Sequence, residues 1–126
     1  MSVKIPENLK YTKDHEWVSL DGDCYTMGIS DYAQGQLGDI VFVELPAIGT
    51  KLTKGKALGV VESIKSVSDV YAPVSGEVVE VNSEVSAHPE MCNSDAYSAW
   101  FIKVRIANKG EIAELMDAGS YAQCCN

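Results

Sequence analysis

The apolar residues of this chain fall in short runs broken by glycine, proline, aspartate and serine, the pattern of many short strands. In "HEWVSLDGDCYTMGIS", Trp17, Val18 and Leu20 precede Asp21-Gly22-Asp23, and Tyr25, Met27 and Ile29 follow it. Asp-Gly between two such runs predicts a hairpin, because glycine tolerates positive φ. Ser30 is placed to cap a short helix ending near Leu37, with Asp31 in its first turn, although Gly35 weakens it. "GDIVFVELPAIG" is a strand that Pro46 must end or confine to a sheet edge, since proline has no amide to donate. "KALGVVES" and "VYAPVSGEVVEVN" are further strands. In "WFIKVRI" the alternation puts Trp100, Ile102, Val104 and Ile106 on one face and Lys103 and Arg105 on the other. Asn108 and Glu111 resemble a capping box, and Ile112, Leu115 and Met116 form a helical stripe. Together they predict a C-terminal helix over about 109–118 that packs on the core.

The middle of the chain repeats. "GDIVFVEL" from Gly38 aligns with "GEVVEVNS" from Gly76: Asp39 meets Glu77, Ile40-Val41 meets Val78-Val79, and Val43 meets Val81. Two similar β units imply a pseudo-twofold sandwich or flattened barrel. Lys65 falls nearly midway between the copies, on the hairpin of about residues 60–71 that joins them.

Composition narrows the class. A chain of 126 residues with 46% hydrophobic residues is one domain, 1–126, with a real core. A net charge of −8 without a basic run argues against nucleic acid, whose phosphates require lysine and arginine. No apolar run reaches membrane-spanning length, and the start lacks a signal-peptide core. The expectation is a cytoplasmic protein, unless a presequence has been removed. Cys24, Cys92, Cys124 and Cys125 form no CxxC pair, so neither a zinc site nor a disulfide framework is indicated, and no metal is expected.

"ESIKSVSD" stands apart from the valine-rich strands around it. Lys65 is the one lysine or arginine between Lys56 and Lys103, flanked by Glu62 and Asp69 and by small Ser63, Ser66 and Ser68. A lysine on a turn is most often a solvated charge. This one also suits a covalent arm: a rigid mount fixes its base, the turn exposes it, and four methylenes extend an attached group. A modifying enzyme would have to deprotonate the amine first, because free lysine is protonated near neutrality.

With "YTKDHEWV", "GISDYAQGQLGDIVFVELP", "GVVESIKSVSD" and "APVSGEVVEVN" in order, the chain resembles the H proteins of the glycine cleavage system, from about Leu9 to Tyr121. The resemblance implies a mostly-β barrel-sandwich hybrid, the lipoyl/biotinyl-type fold, with a short helix in its N-terminal half and a C-terminal helix. It implies lipoic acid bound covalently as N6-lipoyllysine at Lys65, with Glu62 and Asp69 recognised by a lipoyl ligase or transferase. The protein would be no enzyme but a monomeric carrier. It would take an aminomethyl group from the pyridoxal-phosphate glycine decarboxylase to the tetrahydrofolate-dependent aminomethyltransferase. The flavin-dependent dihydrolipoyl dehydrogenase would then reoxidise the arm. A cleft bearing Glu16, Asp69 and Asp14 would shelter the cationic cargo from water. His15 reads as a hydrogen-bonded structural residue and His88 as a loop residue.

The chain departs from the family pattern at Ala99, where a glycine is usual, at Ala96 in place of proline, and at Met91-Cys92 in place of an aliphatic pair. A glycine there with positive φ would leave Ala99 strained. The alternative function is an H-like protein relaying lipoate to other enzymes. A biotinyl domain fits less well, because methionines usually flank its lysine and here Ile64 and Ser66 do. A lipoyl domain of a 2-oxoacid dehydrogenase would be shorter, and a structural module would leave Lys65 unmodified.

Overall fold

The computed structural model describes residues 3–125. Its first hairpin pairs β1 (Lys10–Tyr11) with β2 (Glu16–Asp21), and β2 turns directly into β3 (Cys24–Ile29). Asp21 pairs with Cys24, so the loop is Gly22-Asp23, with Gly22 at φ 63° in its first position. A two-residue loop needs that conformation to match the strand twist, so the hairpin follows from the sequence. Ser30 then caps α1 (Asp31–Leu37) by accepting from the Ala33 amide, also as expected.

The remaining strands are β4 (Ile40–Glu44), β5 (Lys51–Leu52), β6 (Ala57–Ser63), β7 (Val67–Tyr71), β8 (Gly76–Val81) and β9 (Ile102–Ile106). Short helices α2 (Ser83–Ala87) and α3 (Met91–Ser94) link β8 to β9. Two antiparallel sheets form, ordered β1-β2-β3-β9-β8-β5 and β4-β6-β7. Their facing sides bury Val18, Tyr25, Met27, Val43, Val61, Val70, Val78 and Val104 in one core. This is the sandwich expected of the barrel-sandwich class, with two open sheets. β4 ends at Glu44, two residues before Pro46, and lies at a sheet edge.

The repeat is visible in the sheets. β4 and β8 are neighbours of β6 and β9 respectively, and both ladders shift register at the aligned position: between Ile40 and Phe42, and between Val78 and Glu80. The extra residues, Val41 and Val79, are both exposed, while Ile40 and Val78 before them are buried. The orders β7-β6-β4 and β3-β9-β8 then correspond strand for strand. The strands that precede the two copies are exchanged between sheets: β3, before the first copy, pairs with β9, and β7, before the second, pairs with β6.

Two expectations need correction. Trp100 lies before β9 and packs beside a second, smaller cluster built on Leu9, Tyr11, Trp17, Ala118 and Tyr121, while the next residue, Phe101, is fully buried in the main core. The alternation therefore begins at Ile102. The helix expected over about 109–118 is instead a 3₁₀ turn, Lys109–Glu114, followed by α4 (Ala118–Cys124). Asn108 does cap the 3₁₀ turn, but Glu111 does not complete a capping box. Its carboxylate accepts from the Ser75 amide at 2.7 Å and hydroxyl at 3.1 Å. Met116 exchanges two 2.8 Å backbone bonds with Tyr11, which stops helix growth, and Asp117 starts α4 afresh. Ile112 and Leu115 still pack on the main core.

Candidate functional site

Lys65 sits exposed at the tip of the β6–β7 hairpin. Ser63, at the end of β6, builds that tip. Its amide donates to the Ser66 carbonyl at 2.8 Å, and its Oγ accepts from the Lys65 and Ser66 amides at 3.3 and 3.1 Å. The serine hydroxyl thus satisfies two turn amides that no strand partner could reach. The Ile64 amide donates to Asp39 O at 3.1 Å, tying the tip to the segment that enters β4. Among the described residues, Lys65 Nζ has no ion-pair partner. Its side chain lies over Gly38, where an added Cβ would stand 3.4 Å from Lys65 Cε.

Glu62 and Asp69 share the outer face of the three-stranded sheet. One cross-strand row reads Phe42, Glu62, Val67 and the next reads Glu44, Val60, Asp69. Glu62 is half-buried and Asp69 exposed. Around Lys65 this face carries acids and exposed apolar side chains, with Ile64, Val67 and Phe42 all in solvent.

Glu16 and Asp14 come together elsewhere, in a cleft of about 500 Å³ between the β1–β2 turn and the 3₁₀ segment, lined also by Thr12, Lys54, Ala72 and Glu114. Glu16 is only 2% exposed. Thr12 Oγ1 donates to it at 2.6 Å and the Tyr71 amide at 3.2 Å. Burial raises its carboxyl to about 7, against the opposing pull of those two donors. Lys54 is engaged by Glu114 at 3.4 Å. Asp69 does not line this cleft; it lies two residues before Tyr71 on the same strand. At about 3.3 Å per residue, Tyr71 is roughly 20 Å along the hairpin from Lys65.

The cleft wall is held by an unusual turn. Lys13-Asp14-His15 is a three-residue loop closed by Thr12 and Glu16, and His15 is the one non-glycine residue described with positive φ, at 71°. Its Nδ1 is hydrogen bonded to Tyr121 Oη at 2.8 Å, and that hydroxyl is bonded to Ser30 Oγ at 2.6 Å. Burial lowers the His15 pKa, with Asp14 opposing. His15 is hydrogen bonded within the fold, as expected.

The departures at 88–99 prove unstrained. Ala99 is buried without a left-handed φ, and Ala96 O accepts from Trp17 Nε1 at 3.1 Å. Cys92 is fully buried in the core, and burial pushes its thiol up to about 12. Beside it stands a residue the sequence reading missed. Asn93 accepts from the Ile40 amide at 2.9 Å and donates to Gly38 O at 2.9 Å and Gln34 Oε1 at 2.8 Å. Its signal was its place at the head of "NSDAY", where it matches the asparagine of the family pattern.

Comparisons with known proteins bear on the family and the fold. A family model described as "Glycine cleavage H-protein" matches residues 9–126. The glycine cleavage system H protein of Acidobacterium capsulatum is 53% identical over 119 residues, covering 94% of this chain and 92% of the relative. That of Bradyrhizobium diazoefficiens is 56% identical over 112 residues, covering 88% and 92%. A crystal structure of a glycine cleavage system H protein from Mycobacterium marinum superposes with a TM-score of 0.87 at 40% identity, covering 94% of this chain and 97% of that one.

Proposed function

The chain belongs to the glycine cleavage H-protein family, and we propose that Lys65 is the residue through which it acts as a lipoyl carrier. Its role is that of a carrier protein in glycine cleavage and not of an enzyme: it presents a reactive group to the system's other proteins. Relatives named for glycine cleavage favour that role over lipoate relay.

The observation that carries the assignment is the exposed Lys65 amine, without an ion-pair partner among the described residues, on a turn clamped by Ser63. Those residues fit lipoate. Nζ is open to acylation, and Ser63 keeps the backbone on either side in place while the amide forms. When bound as N6-lipoyllysine, lipoate supplies a disulfide that can be opened and re-formed. Glu62 and Asp69, on the face beside Lys65, offer charges to the recognition surface of a lipoyl ligase or transferase. Glu16 and Asp14 offer carboxylates to a cationic cargo in their cleft, with the Thr12 hydroxyl and Tyr71 amide holding Glu16 in place. A nearby cation would favour the ionised form of Glu16, offsetting its burial. Asp69 belongs to the hairpin face and serves the cleft only by standing between it and Lys65.

The partners we assign are the pyridoxal-phosphate glycine decarboxylase, the tetrahydrofolate-dependent aminomethyltransferase, the flavin-dependent dihydrolipoyl dehydrogenase and the lipoylating enzyme. We assign the protein as a single-domain monomer of the cytoplasm. Among the described residues no helix is long and apolar enough to cross a membrane.

Intact-mass measurement tests the attachment. Coexpression with an active lipoyl ligase and lipoate is expected to add one lipoyl group, and Lys65→Ala to abolish the gain. A parent chain of unchanged mass would sink the assignment.

A further inference from the structure

We propose that Asn93 is a positioning residue for Lys65, forming with Gly38 a seat that fixes the hairpin tip for the lipoylating enzyme. The proposal rests on Lys65 being the acylated lysine, but its geometry stands apart from that reading. Asn93 occupies α3, beside the fully buried Cys92, so the helix that carries it is anchored in the core. From there its amide spans the start of β4 as a paired strand would. Oδ1 takes the Ile40 amide and Nδ2 gives to Gly38 O. Ile40 is at the free edge of the three-stranded sheet, and Gly38 precedes it. Without Asn93 these two groups would lose their bonds there.

Gly38 holds φ 86° and ψ −156°, a region open essentially to glycine alone. That conformation turns the chain from α1 into β4. Asn93 braces the turn from both sides, since Nδ2 also reaches Gln34 on α1. The residues so braced are the ones the tip rests on. Asp39 O receives the Ile64 amide, and the Lys65 side chain lies over Gly38 where a side chain would otherwise be. The path therefore runs from the core through Cys92, Asn93 and residues 38–40 to Ile64, through hydrogen bonds of 3.1 Å or less, with the Lys65 side chain lying over Gly38 at its end. An enzyme that grips a turn needs the turn held in one place, because each mobile residue it must order weakens binding.

Amide exchange and lipoylation kinetics on the full-length protein test the seat, using purified lipoyl ligase with lipoate and ATP. In Asn93→Ala, exchange of the Ile64 amide is expected to quicken about tenfold, as for the loss of a supporting hydrogen bond, while β3 and β9 amides stay protected. The KM for the apo-protein should rise several-fold with kcat retained. Asn93→Asp guards against a misfolded alanine variant. It keeps an acceptor for Ile40 but regains a donor towards Gly38 O only when protonated. Its Ile64 protection, corrected for intrinsic exchange, should therefore recover below about pH 4. Unchanged Ile64 exchange in both variants would overturn the seat. So would parental KM in Asn93→Ala. A parent chain that is never lipoylated would instead overturn the assignment of Lys65, leaving the exchange result to decide the seat.

Discussion

Glu16 is the residue whose environment departs furthest from what its position in the chain suggests. From the sequence it is an acid at a strand start; in the fold it is a buried carboxyl with two donors. Its folded pKa, about 7, lies above the ordinary 4.5, so the folded state holds the proton more tightly than the unfolded state. The protein then loses stability as pH rises from about 4.5 to about 7, by at most about 3 kcal/mol. Glu16→Gln removes the charge, so its thermal midpoint should change less than the parent's between pH 5 and pH 7.5. Equal changes in the two proteins would show that another group sets the slope. Lys65 is the contrasting case. Its place on an exposed turn was legible because a lone cation between two acids is a local pattern, and the turn itself is local chemistry.

At the scale of elements, the β6–β7 hairpin is short-range structure whose tip depends on one hydroxyl. Ser63 Oγ is the acceptor for two amides, so Ser63→Ala should cost about 1 kcal/mol and speed amide exchange at Ser66 with little effect on β2 and β3. Exchange at the parental rate would mean that the Ser63–Ser66 backbone bond suffices. The α1–β4 turn has the opposite sensitivity. Gly38→Ala forces a Cβ into backbone space reserved for glycine, and should lower the urea midpoint by the equivalent of about 1–3 kcal/mol. A midpoint within error of the parent would mean that the turn relaxes to an ordinary φ. The C-terminal helix was misplaced for a reason of the same scale. Asn108, Glu111 and the apolar stripe satisfied every local rule. Ser75 and Tyr11, both distant in sequence, took Glu111 and Met116 instead.

For the whole molecule, α4 acts as a clasp. Tyr121 stacks on Tyr11 at 4.5 Å between ring centres, and its hydroxyl joins His15 to Ser30, so the last helix braces both the cleft turn and the start of α1. Tyr121→Phe keeps the stacking and removes the hydroxyl, leaving polar groups near the left-handed His15 unbonded. The expected cost is about 1–3 kcal/mol in denaturant unfolding. An unchanged midpoint would show that His15 and Ser30 find other partners.

By itself the sequence determined what forms over a few residues. Period-two runs and a glycine at φ 63° made the first hairpin, a serine capped α1, and Ser63 with its neighbours put Lys65 on an exposed turn. The repeat was also legible, although the matching register shifts at Val41 and Val79 appeared only in the sheets. Only the tertiary structure decided which sheet each strand joined, how deeply Glu16 was buried, that Asp69 stood apart from the cleft, and that Asn93 braced the segment under Lys65. Turns and caps are settled by bonds between near neighbours. Burial, strand exchange and the Asn93 bonds join residues tens of positions apart, and their energies exist only once the two sheets have closed on the core.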